Sequence, residues 1–225
     1  DLGTSSTKTV LFDEKGEVIA SASKDYPLYT PHNGWAEQKP EDWRDAALET
    51  ITKVVKDSGV AADDIKGLGI SGQMHGLVML DEQGEVIRPS IIWCDQRTEK
   101  ECEEMTEKVG AEKLIEITAN PAMTGFTASK ILWVRNNEPE NYAKCKHILL
   151  PKDYVRYILT GEFATEVSDA SGMQLLDVPK RQWSDELLEI LDIDKSLLAK
   201  VYESPEVTGT ILPAVSYTHL TLPTN

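Results

Sequence analysis

The chain has 225 residues, 40% of them hydrophobic, and its 38 acidic and 23 basic residues give a formal net charge of −15. This length and hydrophobic content suffice for a buried core in one large domain or two small ones, while the negative charge argues against a nucleic-acid or anionic-membrane surface. Cys94, Cys102 and Cys145 form no CxxC pair, and no apolar run approaches the about 20 residues that span a bilayer. We therefore expect a cytoplasmic globular protein without disulfides, zinc, nucleic-acid partners or membrane partners.

The first stretch, Asp1–Lys8, has the composition of a loop that binds phosphate. An acidic residue precedes Gly3 and small hydroxyl residues, and the β-rich segment Thr9–Phe12 follows, so a tight turn between two strands is predicted. Gly3 would let the backbone approach an anion, Asp1 would hold hydrated Mg²⁺ and Lys8 would add positive charge. An ordinary Gly/Ser turn explains these residues equally well. Because a buried strand runs about five residues, we also expect that a few residues before Asp1 are missing.

Two similar hairpins are predicted, at residues 10–19 and 78–87, because both decapeptides place Asp and Gly at matching positions. In each turn the Asp side chain can accept from the following amides, and Gly tolerates a positive φ. Shared turn chemistry explains this likeness as well as duplication does.

The first hairpin is predicted to be followed along the chain by a helix and then by another strand. After a loop at residues 26–37, a helix begins at Pro40 and carries one apolar stripe until Gly59. Residues 65–71 are predicted to be a buried strand, and residues 72–76 a turn into the second hairpin. This order implies a mixed α/β sheet.

The remaining segments are mostly predicted to be helical. Thr98 is expected to cap a helix that runs through Lys108. Short strands are predicted at residues 91–93 and 148–150, and the polar stretch 165–172 is predicted to be a loop. Further helices are predicted at residues 111–117, 128–136, 139–143, 151–159 and 184–191.

Five short motifs follow one another along the chain, at Gly72–Gly76, Trp93–Arg97, Gly125–Lys130, Leu150–Tyr154 and Ser168–Gly172. Each is weak alone, but with the first loop they resemble, in the same order, the FGGY carbohydrate kinases, and most closely the members that phosphorylate D-xylulose. The resemblance implies a ribonuclease H-like α/β domain of the actin/hexokinase ATPase type, with a mixed β-sheet flanked by helices. In this family the domain binds sugar in a cleft shared with a second domain.

The resemblance also implies which residues bind the substrates, with ATP and Mg²⁺ as cofactors. It places sugar contacts at Met74 and His75. A polyol needs paired donors and acceptors and an apolar cover for its C–H face, which adds Gln73, Trp93 and Asp95 as candidates. The phosphate and Mg²⁺ site would consist of Asp1, Gly3, Thr4, Ser5, Ser6 and Lys8, with Asp1 at the metal.

Structural roles remain open for several of these residues. For His75 the alternative to the favoured sugar contact is a satisfied histidine in a turn, whereas Trp93 would equally be a core residue. Asp95 and Arg97 would form an ion pair that holds the end of a strand, an interpretation that we favour for Arg97 and leave open for Asp95.

A carboxylate that accepts the hydroxyl proton is the part of the machinery that the sequence lacks. The resemblance implies an Asp in a Gly-rich segment just beyond Thr208–Pro213, followed by the ATP-binding domain. Asp153 and Asp169 are better explained by helix capping and loop hydrogen bonding. We therefore expect residues 1–214 to be a sugar-binding N-terminal domain truncated at both ends, and residues 215–225 to be a non-native tail.

The resulting prediction is that the intact protein converts D-xylulose to D-xylulose 5-phosphate with ATP, whereas this chain is inactive. One alternative is a related kinase for gluconate, glycerol or ribulose. Glycerol kinases place an Arg-Glu pair where Met74 and His75 stand, but gluconate kinases share the Met-His pair, and an acid substrate would want a cation such as Arg97 nearby. Another alternative is a non-catalytic sugar-binding module. The oligomeric state stays open, with a homodimer as one option.

Overall fold

The computed structural model describes residues 1–216, so residues 217–225, most of the predicted non-native tail, lie outside the described residues. The strands are β1 Ser6–Phe12, β2 Val18–Asp25, β3 Glu37–Gln38, β4 Val78–Leu80, β5 Ser90–Ile91, β6 His147–Leu149, β7 Ala164–Glu166, β8 Leu176–Asp177, β9 Gln182–Trp183 and β10 Lys200–Tyr202. The helices are α1 Pro40–Ser58, α2 Glu99–Val109, α3 Ala111–Thr118, α4 Thr127–Asn137, α5 Pro139–Lys144, α6 Pro151–Thr160, α7 Val167–Ala170, α8 Asp185–Leu191 and α9 Pro213–Val215. Short 3₁₀ turns cover Ala62–Asp64, Ser171–Met173 and Lys195–Leu197.

The two predicted hairpin turns share one hydrogen-bond pattern. Asp13 Oδ1 accepts from the amides two and four residues ahead, at 2.8 and 2.9 Å, and Asp81 Oδ1 does the same at 2.9 Å each. The turn glycines, Gly16 and Gly84, have φ values of 83° and 78°, which a residue with a Cβ rarely adopts. Local turn chemistry is therefore enough to form both hairpins, as predicted.

Helix α1 packs along the β1–β2 hairpin, as its apolar stripe predicts. Pro40 occupies the first turn, where its missing N–H costs nothing, and acidic residues follow it at the positive end of the helix. Trp43, Ile51 and Val54 are buried on the inner face. Gly59 ends the helix in the left-handed conformation, with a φ of 66°.

Strands β4 and β6 form the centre of the domain and have helices on both faces. They pair antiparallel, and because side chains alternate along a strand, Met79 enters one hydrophobic cluster whereas Val78 and Leu80 enter another. The first cluster contains residues of α2, α3, α4 and α8, and the second contains residues of α1 and α6. Burial on both faces explains why the sequence is continuously apolar at residues 77–80 and 148–150.

The other strand pairs mix both directions. Strands β3 and β5 are antiparallel, a bridge between Leu77 and Ile91 joins them to the β4–β6 pair, and Ile148 of β6 bridges Leu198 in parallel. Strands β7 and β10 are parallel. Among the described residues, no helix is both long and apolar enough to cross a membrane.

Residues 65–71 do not form the predicted buried strand. The segment is largely exposed, with Leu68 at 47%, and its backbone meets Leu2 only at its end, where Leu2 N donates to Ser71 O. Two glycines and three apolar residues imitate a buried strand in sequence. A strand also needs a neighbouring backbone, and no described strand lies beside residues 65–70.

Two further expectations were wrong in detail. The stretch 165–172 is not a loop but contains the end of β7, helix α7 and the start of a 3₁₀ turn, because the Glu166 carboxylate caps the helix by accepting from two backbone amides at 2.8 Å each. Thr98 does not cap α2. Its hydroxyl donates to Thr124 O at 3.2 Å and lies 2.9 Å from Ser129 Oγ.

Candidate functional site

The first loop is a tight turn whose carbonyl groups are held by the surrounding protein. Gly3 N donates to Ser6 O at 2.9 Å and closes the turn. The Tyr26 hydroxyl donates to Gly3 O, Gln38 Nε2 donates to Thr4 O at 2.7 Å, and the Tyr26 amide donates to Ser5 O at 3.2 Å. Within residues 1–216, the amides of Thr4 and Ser5 donate to no protein acceptor. Consecutive free amides above fixed carbonyls suit an anion.

Asp1 lies beside this turn with an exposed carboxylate. Its Oδ1 accepts from Ser71 Oγ at 3.1 Å, and its ammonium donates to the carbonyl of Lys8 at 2.8 Å. Lys8 is exposed on β1. The described part of the chain contains no group of three or more His, Cys, Asp or Glu side chains that would hold a metal alone. One exposed carboxylate fits Mg²⁺, which usually keeps waters and binds one or two carboxylates plus substrate phosphates.

Gln73 connects the first loop with the turn at His75. Its amide donates to Leu2 O at 2.7 Å, and its buried side chain donates through Nε2 to Gln38 Oε1 at 2.8 Å and to Gly3 O at 3.4 Å. The expectation that this side chain contacts sugar is therefore not supported, because it points into the protein under the loop. Sequence reasoning missed Gln38, whose role depends on contacts that are distant in sequence and has no local signal.

His75 is held in a conformation that is unusual for a residue with a side chain. Its φ is 64°, its Nδ1 lies 3.1 Å from Gly172 O, and its ring is 4.2 Å from the ring of Phe126. Burial lowers the pKa of His75 to about 4, with the positive charge of Lys130 as a smaller cause in the same direction. The ring is therefore neutral at pH 7. Because a carbonyl only accepts, Nδ1 carries the proton and Nε2 is left as an acceptor.

Met74 and Trp93 provide exposed apolar surface beside these groups. Trp93 Nε1 donates to Thr4 Oγ1 at 2.9 Å, although the two residues are far apart in sequence. A Cβ at Gly125 would lie 2.8 Å from Trp93 O, so the third motif packs against the second without a side chain between them. The structure thus brings together the first loop, the His75 turn and Trp93.

Asp95 and Arg97 form a buried ion pair. Asp95 is 1% exposed, and its Oδ2 accepts from Ala36 N at 2.6 Å and from the Arg97 guanidinium at 2.7 Å. The Arg97 guanidinium lies 3.7 Å from the centre of the Trp35 ring and 4.8 Å from that of Trp133. The structure does not support a sugar contact for Asp95, because its carboxylate is enclosed and already satisfied.

A second buried charge cluster surrounds Lys152. Its Nζ lies 3.1 Å from Asp153 Oδ1, 3.3 Å from Glu166 Oε1 and 3.4 Å from Asp169 Oδ2. Burial raises the pKa of Asp169 to about 7, although Lys152 opposes the shift. Asp153 and Asp169 are thus engaged in an ion cluster rather than in the helix cap and loop that the sequence predicts.

Comparison with known proteins gives consistent matches along the chain. The model of the FGGY family of carbohydrate kinases, N-terminal domain, matches residues 1–221. The xylulose kinase of Bacillus subtilis (strain 168) is 44% identical over 216 residues, which cover 96% of this chain and 43% of the relative. The xylulose kinase of Escherichia coli (strain K12) is also 44% identical, with 96% of this chain and 44% of the relative covered. The chain therefore spans less than half the length of these curated relatives.

Solved structures match over the same range. A xylulose kinase from Rhodospirillum rubrum superposes with a TM-score of 0.91 at 27% identity and covers 99% of this chain and 46% of its own. A gluconate kinase from Lactobacillus acidophilus has a TM-score of 0.89 at 30% identity, with coverage of 96% and 43%. These matches confirm the predicted fold class, an α/β domain of the actin/hexokinase ATPase type.

Proposed function

Because the chain belongs to the FGGY family of carbohydrate kinases, we propose that it is the sugar-binding domain of a kinase that transfers the γ-phosphate of ATP to D-xylulose. Sugar phosphorylation requires a hydroxyl held beside a phosphate site. One observation carries the proposal: Trp93 donates to Thr4 and Gln73 donates to Gly3, so the candidate phosphate loop and the turn with Met74 are joined by hydrogen bonds. The curated relatives compared above are named xylulose kinases.

The sugar would bind at His75, Met74 and Trp93. His75 Nε2 is an acceptor for a hydroxyl proton, because Nδ1 is already committed to Gly172 O. The exposed side chains of Met74 and Trp93 would cover the apolar face of the sugar. This set combines one fixed polar contact with apolar surface, as small-molecule sites usually do.

The phosphate groups of ATP would meet the first loop. The free amides of Thr4 and Ser5 would donate to phosphate oxygens, and Gly3 and Ser6 would complete the turn. Asp1 would hold the hydrated Mg²⁺, and Lys8 would add positive charge nearby. When bound, Mg²⁺ would neutralise charge on the phosphate oxygens.

The chain by itself is proposed to be inactive as a kinase. The acids of its motifs are engaged: Asp95 by Arg97, and Asp153 and Asp169 by Lys152. A general base must lie within hydrogen-bond reach of the hydroxyl proton, and these enclosed carboxylates face their ion-pair partners instead. The base and the ATP-binding domain would belong to the part of the relatives' length that this chain does not span. The foreign origin of residues 215–225 stays a prediction, as does the cytoplasmic location.

Gluconate is the substrate that competes most closely with D-xylulose, since a gluconate kinase shares the fold. A sugar acid would require a cation at the site. Arg97 does not provide it, because its side chain is 1% exposed and is held by Asp95 and Glu37. This arrangement favours a neutral sugar.

Isothermal titration calorimetry on this chain tests the proposal. We expect D-xylulose to bind, gluconate and glycerol to bind more weakly, and His75→Ala to weaken xylulose binding by about tenfold, the loss of roughly one hydrogen bond. His147→Ala is the matched control, since His147 lies on strand β6, where its ring stacks on Phe163. If no sugar binds, the sugar-binding proposal fails. Steady ADP release by this chain with ATP and xylulose would contradict its proposed inactivity.

A further inference from the structure

We propose that Lys130 is a positioning residue for the turn at residues 72–76, called the sugar turn below. The buried amino group of Lys130 holds the main chain of His75 so that the imidazole faces the substrate. The proposal rests on the sugar site proposed above. It assigns a role in sugar binding to a side chain that lies inside the protein.

The geometry at Lys130 is specific. The residue lies on α4 and is 0% exposed, and its Nζ donates to the carbonyl oxygens of His75 and Gly125 at 2.8 Å each. Thr127, one turn earlier on α4, donates its hydroxyl to the same His75 carbonyl at 3.2 Å. Helix α4 therefore holds the His75 backbone through two side chains.

The sugar turn needs such a hold. A φ of 64° is sterically unfavourable for a residue with a Cβ, and such conformations persist only where the surroundings enforce them. If the His75 carbonyl were released, the backbone would relax toward negative φ. The imidazole would then leave Gly172 O, and Nε2 would no longer be fixed.

Packing alone does not explain a lysine at this position. The charge of Asp95 acts on Lys130, but Asp95 makes no hydrogen bond with Nζ, so the amino group is buried against two carbonyl oxygens instead. Burial lowers the pKa of Lys130 to about 7, which shows how costly its charge is there. A methionine would fill the same space without this cost. The role of the amino group is therefore to hold these two carbonyls.

The test compares Lys130→Met, which keeps the length of the side chain and removes its donors, with the surface control Lys113→Met. Imidazole ¹⁵N spectra report the tautomer and pKa of His75 in the full chain. We expect the variant to lose the fixed Nδ1-protonated form and to move the pKa of His75 upward toward its ordinary value. D-xylulose affinity should fall about tenfold. The control should change neither.

The spectra separate the two proposals. If the wild-type chain binds no sugar, the proposed function fails, but the His75 signals still decide whether Lys130 positions the ring. A folded Lys130→Met variant with unchanged His75 signals and unchanged affinity would overturn the inference. If this variant does not fold, Thr127→Val removes the weaker of the two hydrogen bonds; we expect a smaller shift in the same direction, and unchanged His75 signals would again overturn it.

Discussion

Replacing Gly172 with alanine should displace the His75 ring. A Cβ at position 172 would lie 2.3 Å from Cε1 and 2.4 Å from Nδ1 of His75, much closer than non-bonded atoms approach. The ring cannot simply turn aside, because it also bonds the Gly172 carbonyl at 3.1 Å and stands 4.2 Å from the ring of Phe126. No small rotation relieves the clash and keeps both contacts.

The magnitude follows from these contacts. Losing one hydrogen bond costs about 1 kcal/mol, and overpacking a filled site costs about 1 to 3 kcal/mol. The free energy of unfolding of Gly172→Ala should therefore fall by about 2 to 4 kcal/mol. Because Nε2 moves with the ring, the affinity for D-xylulose should also fall by about tenfold, the equivalent of about 1.4 kcal/mol.

Urea denaturation and titration calorimetry measure the two effects. Gly67→Ala is the matched control, since a Cβ there would meet nothing within 4 Å. The control should keep both the urea midpoint and the sugar affinity of the wild type. If Gly172→Ala also keeps both, the packing argument is refuted, and with it the view that Gly172 sets the position of His75.

Substitutions at three further positions test other parts of the site. Because burial raises the pKa of Asp169 to about 7, its protonation adds stability that is fully present below about pH 4 and is lost as the pH rises through 7. In urea titrations, the free energy of unfolding of Asp169→Asn should therefore rise relative to that of the wild type as the pH increases over this range. A constant difference would contradict the assignment. Trp93→Phe loses the bond to Thr4 Oγ1 and one ring of the indole but keeps an aromatic face, so it should change xylulose affinity less than about twofold. Trp93→Ala removes this face and should lower the affinity about tenfold; equal losses in calorimetry would argue against an apolar role. Arg97→Lys should lower the free energy of unfolding by about 3 kcal/mol, because lysine cannot reproduce the forked contact with the enclosed Asp95; an unchanged urea midpoint would show that the pair is dispensable.

Local signals predicted the parts of the fold that local chemistry controls. Asp13 and Asp81 mark their turns because their side chains bond amides only two and four residues away. Helix α1 was predicted because Pro40 and Gly59 act within their own turns. The strand predicted at residues 65–71 failed for the opposite reason, since apolar residues alone do not supply the neighbouring backbone that a strand needs.

The candidate site shows the same division. The first loop and the turn at His75 could be predicted because their residue types and the order of the motifs resemble a known family. The side chains that hold them could not be predicted. Gln38 reaches Thr4, and Lys130 reaches His75, only after folding brings distant segments together. Gln73 was assigned to sugar from its residue type, but its environment turns it toward the loop instead.

Because side chains from other segments hold the carbonyl oxygens of the first loop, substitutions inside and outside the loop should differ in their effects. The Ser5 hydroxyl does not hold the backbone of this loop, so Ser5→Ala should leave the loop conformation unchanged. Tyr26 and Gln38, which lie outside the loop, fix its conformation by donating to its carbonyl oxygens. Loss of the proposed phosphate site would then also follow from substitutions at Tyr26 or Gln38, which hold the loop without belonging to it.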